Sequence, residues 1–178
     1  MALSSLRRWF SRSQTPVAEV TPRHEEPIGA EEQYLRGVEF ADGLGVPQNY
    51  AQAAQWFARA AEQNHAQAQL NLATLYRQGQ GVNRDPAMSL QWLTRAAKLG
   101  NAAAQYRLGV QQHLAGRVGR ATAAPETRIE ALMWVRLSAA QGHQGAESAC
   151  QFVTSGMSWE EVAEGGRRAA AFVVGSSA

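Results

Sequence analysis

The stretch EEQYLRGVEFADGLGVPQNYAQAAQWFARAAEQ, residues 31–63, decides the fold because the chain says it again. Displaced by 36 residues, Tyr34-Leu35-Arg36-Gly37-Val38-Glu39-Phe40 falls on Leu70-Asn71-Leu72-Ala73-Thr74-Leu75-Tyr76. Gly43-Leu44-Gly45-Val46 falls on Gly79-Gln80-Gly81-Val82, and Ala53-Ala54-Gln55-Trp56-Phe57 on Ser89-Leu90-Gln91-Trp92-Leu93. A further step of 36 reaches Tyr106-Arg107-Leu108-Gly109. After a six-residue insertion the step becomes 42, and Trp92-Leu93-Thr94-Arg95 lands on Trp134-Val135-Arg136-Leu137. Self-similarity at such a period marks stacked supersecondary units.

Each unit reads as two helices. Leu70, Ala73 and Tyr76 recur at helical spacing before Gly79-Gln80-Gly81 breaks the helix. A second helix then carries Leu90, Leu93 and Ala97 on one face. Seven residues before each tryptophan stand Asn49, Asp85 and Thr127, side chains that accept from the free N–H groups of a first turn. Pro86 follows Asp85 at the first helical position, and Thr127 to Glu130 has capping-box spacing. At the far end, Asn64, Gly100 and Gly142 all tolerate a left-handed helix stop. So short a pair cannot bury its apolar face alone, so the units must stack. Alanines such as Ala53, Ala60, Ala96 and Ala104 permit close approach, and Trp56, Trp92 and Trp134 fill the remaining space.

These residues resemble the Sel-1-like repeat family, a relative of the tetratricopeptide repeat with a slightly longer unit. Its approximate pattern, A-x-A-Q-Y-x-L-G-x-x-Y-x-x-G-x-G-V-x-x-D-x-x-x-A-x-x-W-x-x-x-A-A-x-x-G, is met by Ala66-Gln67-Ala68-Gln69-Leu70-Asn71-Leu72-Ala73 and by Tyr76, Gly79, Gly81-Val82, Asp85, Trp92, Ala96-Ala97 and Gly100. The resemblance spans about residues 31–155. It implies an all-α chain, a short right-handed α/α superhelix of helical hairpins used as a protein-binding scaffold. Two departures stand out. Arg36 occupies the place of Leu72 and Leu108, and the Gly-x-Gly turn is lost where Ala115-Gly116-Arg117-Val118-Gly119 enters the insertion. Some relatives are credited with hydrolysis of β-lactams, which would need a nucleophile with a base in reach, and the sequence offers none.

The expected organisation is a tail over 1–29 and a repeat domain over 30–174, with units at about 31–65, 66–101 and 102–143, an inserted loop at 115–126, a half unit at 144–155 and a C-terminal capping helix at 158–174. Ser158-Trp159-Glu160-Glu161 opens that helix with a capping box, and Gly165-Gly166 is expected to weaken its middle. Met1 to Arg12 is either a weak membrane-surface or partner-docking helix or, in a eukaryote, a transit peptide; Ser11 to Glu26 reads as a disordered tail. The insertion is either a plain mobile loop or a binding feature.

The 178 residues are 45% apolar and 18% charged with a formal net charge of +2, which describes one ordinary domain. Residues 31–178 hold 13 basic and 12 acidic groups, so no cationic face for nucleic acid is forced. Cys150 is the only cysteine, falls on the Leu72/Leu108 position, and reads as a small buried hydrophobe. One cysteine forms no intrachain disulfide, and the expected compartment is a bacterial cytoplasm, or a mitochondrion if the source is eukaryotic. Histidines 24, 65, 113 and 143 are too scattered for a metal site, and Glu160, Glu161 and Glu164 suit a helix start. No catalytic residue, cofactor or metal is expected, and the chain is read as a monomer. What remains is a surface. With first helices lining the concave side of such arrays, positions i, i+4 and i+7 give the rows Tyr34, Leu70, Tyr106, then Val38, Thr74, Val110, then Ala41, Arg77, His113. Tyr34, Val38, Leu70, Thr74, Arg77, Tyr106, Val110 and His113 are the candidate contacts for a protein or peptide partner.

Overall fold

Helices form where the period places them. The computed structural model describes residues 29–116 and 124–172. Among them the chain folds into α1 (Ala30–Asp42), α2 (Tyr50–Glu62), α3 (Ala66–Gln78), α4 (Pro86–Lys98), α5 (Ala102–Ala115), α6 (Pro125–Ala140), α7 (Ala146–Thr154) and α8 (Trp159–Ala171), with no strand. Met1 to Glu26, most of the insertion and Val173 lie outside the described residues.

The start signals act as capping chemistry requires. Asn49 Oδ1 accepts from the Ala51 and Gln52 amides at 3.1 Å each, and Asp85 Oδ1 from Ala87 and Met88 at 2.9 Å each. Ser158 and Glu161 close both arms of a capping box. Asn64, Gly100 and Gly142 take φ of 62°, 85° and 71°. Thr127 does not cap. Pro125, with φ already set for a first turn, begins α6 two residues earlier behind Ala124, which offers no side-chain cap.

Successive helices pack on one another from α1 through α6, and both α7 and α8 then pack on α6. One buried cluster runs from Ala53 and Phe57 through Leu72, Leu93 and Leu108 to Trp134; a second joins Leu132 and Val135 to Ala149 and Val153. Gly81 joins units by backbone alone, since a Cβ there would lie 2.2 Å from the Tyr50 carbonyl carbon, and its φ is +70°. Arg36 has a physical reason. Ala68 and Leu72 of α3, and Ala104 and Leu108 of α5, are buried, whereas their counterparts Glu32 and Arg36 are exposed. Among the described residues nothing packs on that face of α1, so the first unit folds fully with a charged outer face.

The tryptophans are roofed as well as buried. Trp92 is 9% exposed, and the Arg95 guanidinium lies 4.7 Å from its ring centre. Trp56 is half-buried and carries Arg59 at 4.8 Å. At Trp134 the matching position is Leu137, and Phe172, beyond the end of α8, closes edge-on at 5.4 Å. Gly165-Gly166 does not interrupt the helix. Added Cβ atoms would meet Leu132 at 3.0 Å and Arg136 at 2.8 Å, so the pair lets α8 approach α6 within an unbroken helix. Charged pairs Arg128–Glu161 and Arg168–Glu126 hold its two ends.

Candidate functional site

The odd-numbered helices touch their even-numbered neighbours closely and one another hardly at all. Furrows therefore open between them. One, of about 500 Å³, lies between α3 and α5, with Ser89 and Leu93 of α4 among its walls. A second, of about 380 Å³, lies between α1 and α3 and is bounded by Tyr50 and Phe57 of α2.

The α3–α5 furrow gathers Thr74, Arg77, Tyr106 and Val110, four of the expected contacts, with Arg107, Gln111 and Leu114 beside them. Thr74 Oγ1 donates to the Leu70 carbonyl at 2.9 Å and accepts from Arg107 Nη1 at 2.9 Å. Among the described residues, the furrow is lined by two arginines and no carboxylate. Burial holds the Arg107 guanidinium below its ordinary pKa, and the nearby charge of Arg77 adds to the effect. Asp85, just before the furrow's Pro86, gives its carboxylate to the first turn of α4.

The α1–α3 furrow holds Tyr34 and Val38 and has the opposite sign, with Asp42 in its wall. Tyr34 stacks on His65 at 4.6 Å and 19°, while burial, then Glu31 and Asp42, raise its hydroxyl pKa. His65 Nδ1 accepts from the Ala68 amide at 3.1 Å, so Nε2 carries the proton it donates to Glu31 at 2.9 Å.

Two expected contacts are corrected. Leu70 is 3% exposed and belongs to the first core cluster. His113 is 6% exposed and meets the edge of Phe152 at 4.7 Å. The cause is helical phase. The open face of α5 runs through Arg107, Val110, Gln111 and Leu114, rotated by about one residue from the Tyr106–Val110–His113 row. The signal for Arg107 was present in the same period, since Asn71 of the neighbouring furrow stands 36 residues earlier. Apolar residues on both faces of α5 hid the phase.

Cys150 is half-buried against the second cluster rather than fully enclosed, and burial raises its thiol pKa. That is the direction away from a reactive thiolate. Among the described residues no group of three His, Cys, Asp or Glu side chains is placed to hold a metal ion, and no helix is long and apolar enough to cross a membrane.

Comparison with known proteins agrees with this architecture. A crystal structure of a Sel1 repeat protein from Oxalobacter formigenes superposes with a TM-score of 0.64 at 28% identity, over 77% of this chain and 53% of that one. That of c5321, a protective antigen present in uropathogenic Escherichia coli strains and displaying an SLR fold, gives 0.62 at 27%, over 80% of this chain and 30% of that one. The chain thus spans about half the length of the first and under a third of the second. No curated protein matches. The Sel1 repeat model matches residues 33–65, 66–101 and 102–143 in succession, more than half of the sequence, and the chain belongs to the Sel1 repeat family.

Proposed function

We propose that the chain is a non-enzymatic scaffold that holds a partner protein or peptide against the face shared by α1, α3 and α5, acting in a bacterial cytoplasm. Sel1 repeats generally mediate protein–protein interaction. The observation that carries the reading is the α3–α5 furrow, in which Arg77 and Arg107, both exposed, stand beside the exposed side chain of Leu114 with no carboxylate among the described lining residues. Arginine and apolar side chains converging in a groove are what interface anchors are made of. Tyr34, Val38, Thr74, Arg77, Tyr106 and Val110 remain proposed contacts, Arg107 and Gln111 join them, and Leu70 and His113 act from beneath as packing.

The test is affinity capture with the full chain, its Arg77→Glu/Arg107→Glu variant, and a Gln55→Glu/Gln91→Glu variant on exposed positions of α2 and α4. A specific partner should be lost from the first variant and kept by the second. If its retention is equal in both, the docking face lies elsewhere.

A further inference from the structure

We propose that the furrow between α3 and α5 takes an acidic peptide segment, with an Asp or Glu side-chain carboxylate between Arg77 and Arg107 and a neighbouring aliphatic residue against Val110 and Leu114. This rests on the docking face proposed above and adds the chemistry of what docks.

Two guanidinium groups share the furrow, and among the described residues no carboxylate lines it. Among the described residues Arg107 makes one side-chain hydrogen bond, to Thr74, which leaves other donors of its planar fork for a ligand. Like charges repel, and at these exposed side chains solvent screens that repulsion only in part. The lowered pKa of Arg107, caused by burial and by Arg77, reports that cost. A carboxylate entering between them removes it and gains charge-assisted hydrogen bonds. Asp85 caps α4 through Oδ1 and is not among the residues that line the furrow.

The apolar half of the specificity comes from Leu114, 47% exposed, and half-buried Val110 one turn before it. The neighbouring furrow supplies the discrimination. Asp42 lies in its wall and the charges of Glu31 and Asp42 both reach Tyr34, so the same carboxylate is repelled there. Opposite signs in adjacent furrows set the direction in which a segment lies across the array.

The experiment pans a random dodecapeptide library against the full chain and follows enriched peptides by fluorescence anisotropy. Enrichment of Asp or Glu next to Leu, Ile or Val is expected. Affinity should fall about tenfold or more when Arg77→Gln, Arg107→Gln or the peptide's own Glu→Gln change is made, and should weaken with salt. Amidating the peptide's C-terminus should change nothing. Loss on amidation would assign the site to a terminal carboxylate and overturn the side-chain proposal. Enriched peptides that are neutral, yet compete with one another and are displaced by Val110→Arg, would overturn it while leaving the docking face standing. Acidic peptides indifferent to both arginine changes overturn it as well. No enrichment at all counts against the docking face itself. Arg77 is exposed, so Arg77→Gln keeps the fold even if Arg107→Gln, which loses the Thr74 bond, melts early by circular dichroism.

Discussion

Leu99→Gln should stabilise this protein. In the first unit Gln63 Nε2 donates to Gln33 Oε1 at 2.8 Å, and in the third Gln141 Nε2 donates to Gln105 Oε1 at 2.8 Å. The glutamines of α3 and α5 also reach back, Gln69 to the Ala61 carbonyl at 2.9 Å and Gln105 to Ala97 at 3.1 Å. In the middle unit the donor's place, the C-cap of α4, is taken by Leu99. Gln69 Oε1 is consequently buried without a hydrogen bond. The backbone is ready for the exchange: Leu99 has φ −79° and ψ 7°, against −91° and 5° at Gln141 and −86° and 19° at Gln63. An unsatisfied buried acceptor costs about 1–3 kcal/mol. Fixing a glutamine side chain costs on the order of 1–2 kcal/mol where it is fully ordered, and less here because residue 99 is only half-buried. The net gain should be about 1 kcal/mol, a melting shift of roughly 3–5 °C for an array of this size. Urea unfolding and calorimetry would read it, with Leu99→Met as control because methionine has similar length and no donor. Equal gain in the methionine variant, or no gain with glutamine, would refute the hydrogen-bond reasoning.

Trp92→Ala should cost about 3–5 kcal/mol, since it leaves a large cavity in the middle unit and removes the ring under Arg95; an unchanged urea midpoint would show that the ring is not core. The pH dependence should be local. Glu126 is held below its ordinary pKa chiefly by its hydrogen bond from Arg168, Glu161 by the Ser158 backbone and then Arg128, and Glu164 by Arg168 and then Arg167. Depressed carboxylates stabilise the fold above their unfolded pKa, and that support is lost as pH falls through the lower folded values. Hydrogen exchange should therefore show α8 losing protection before α2–α5 below roughly pH 4, and simultaneous loss would contradict the assignment. In liposome co-sedimentation, the full chain and a chain starting at Glu31 should behave alike; retention of the full chain alone would instead give residues 1–12 a membrane role.

The period made the hairpins legible, because Asn49, Asp85, Asn64, Gly100 and the tryptophans each repeat a local physical requirement. Two errors came from single-residue reasoning inside that frame. Thr127 has the spacing of a cap, but Pro125 begins the helix sooner. Gly165-Gly166 reads as a flaw by helix propensity, yet propensity takes no account of α6 pressed against it. The candidate site was half legible. Rows of equivalent residues fall on the odd-numbered helices, and Thr74, Arg77, Tyr106 and Val110 do line one furrow. The rotational phase was off by about one position because α5 carries large apolar side chains on opposed faces, Leu108 inside and Leu114 outside. Only packing against α4 and α6 tells them apart.

The glutamine ladder and the arginine furrow belong to different links of the same chain. The ladder ties α1, α3 and α5 to their even-numbered neighbours through glutamine amide bonds, with one rung missing at Leu99. The furrow lies on the other side of those helices, between α3 and α5. Stability changes at Leu99 and Trp92 should therefore alter melting without changing which peptides are selected, whereas Arg77→Gln should alter selection with little change in melting.

Site-specific photo-cross-linking tests the docking face most directly. A photoreactive phenylalanine would be placed singly at Gln111 in the α3–α5 furrow, at Asn71 in the α1–α3 furrow, and at exposed Gln55 and Gln91 on α2 and α4. The same partner polypeptide cross-linked from Gln111 and Asn71, and from neither Gln55 nor Gln91, is the predicted result. Adducts confined to Gln55 and Gln91, or spread evenly over all four positions, would contradict it.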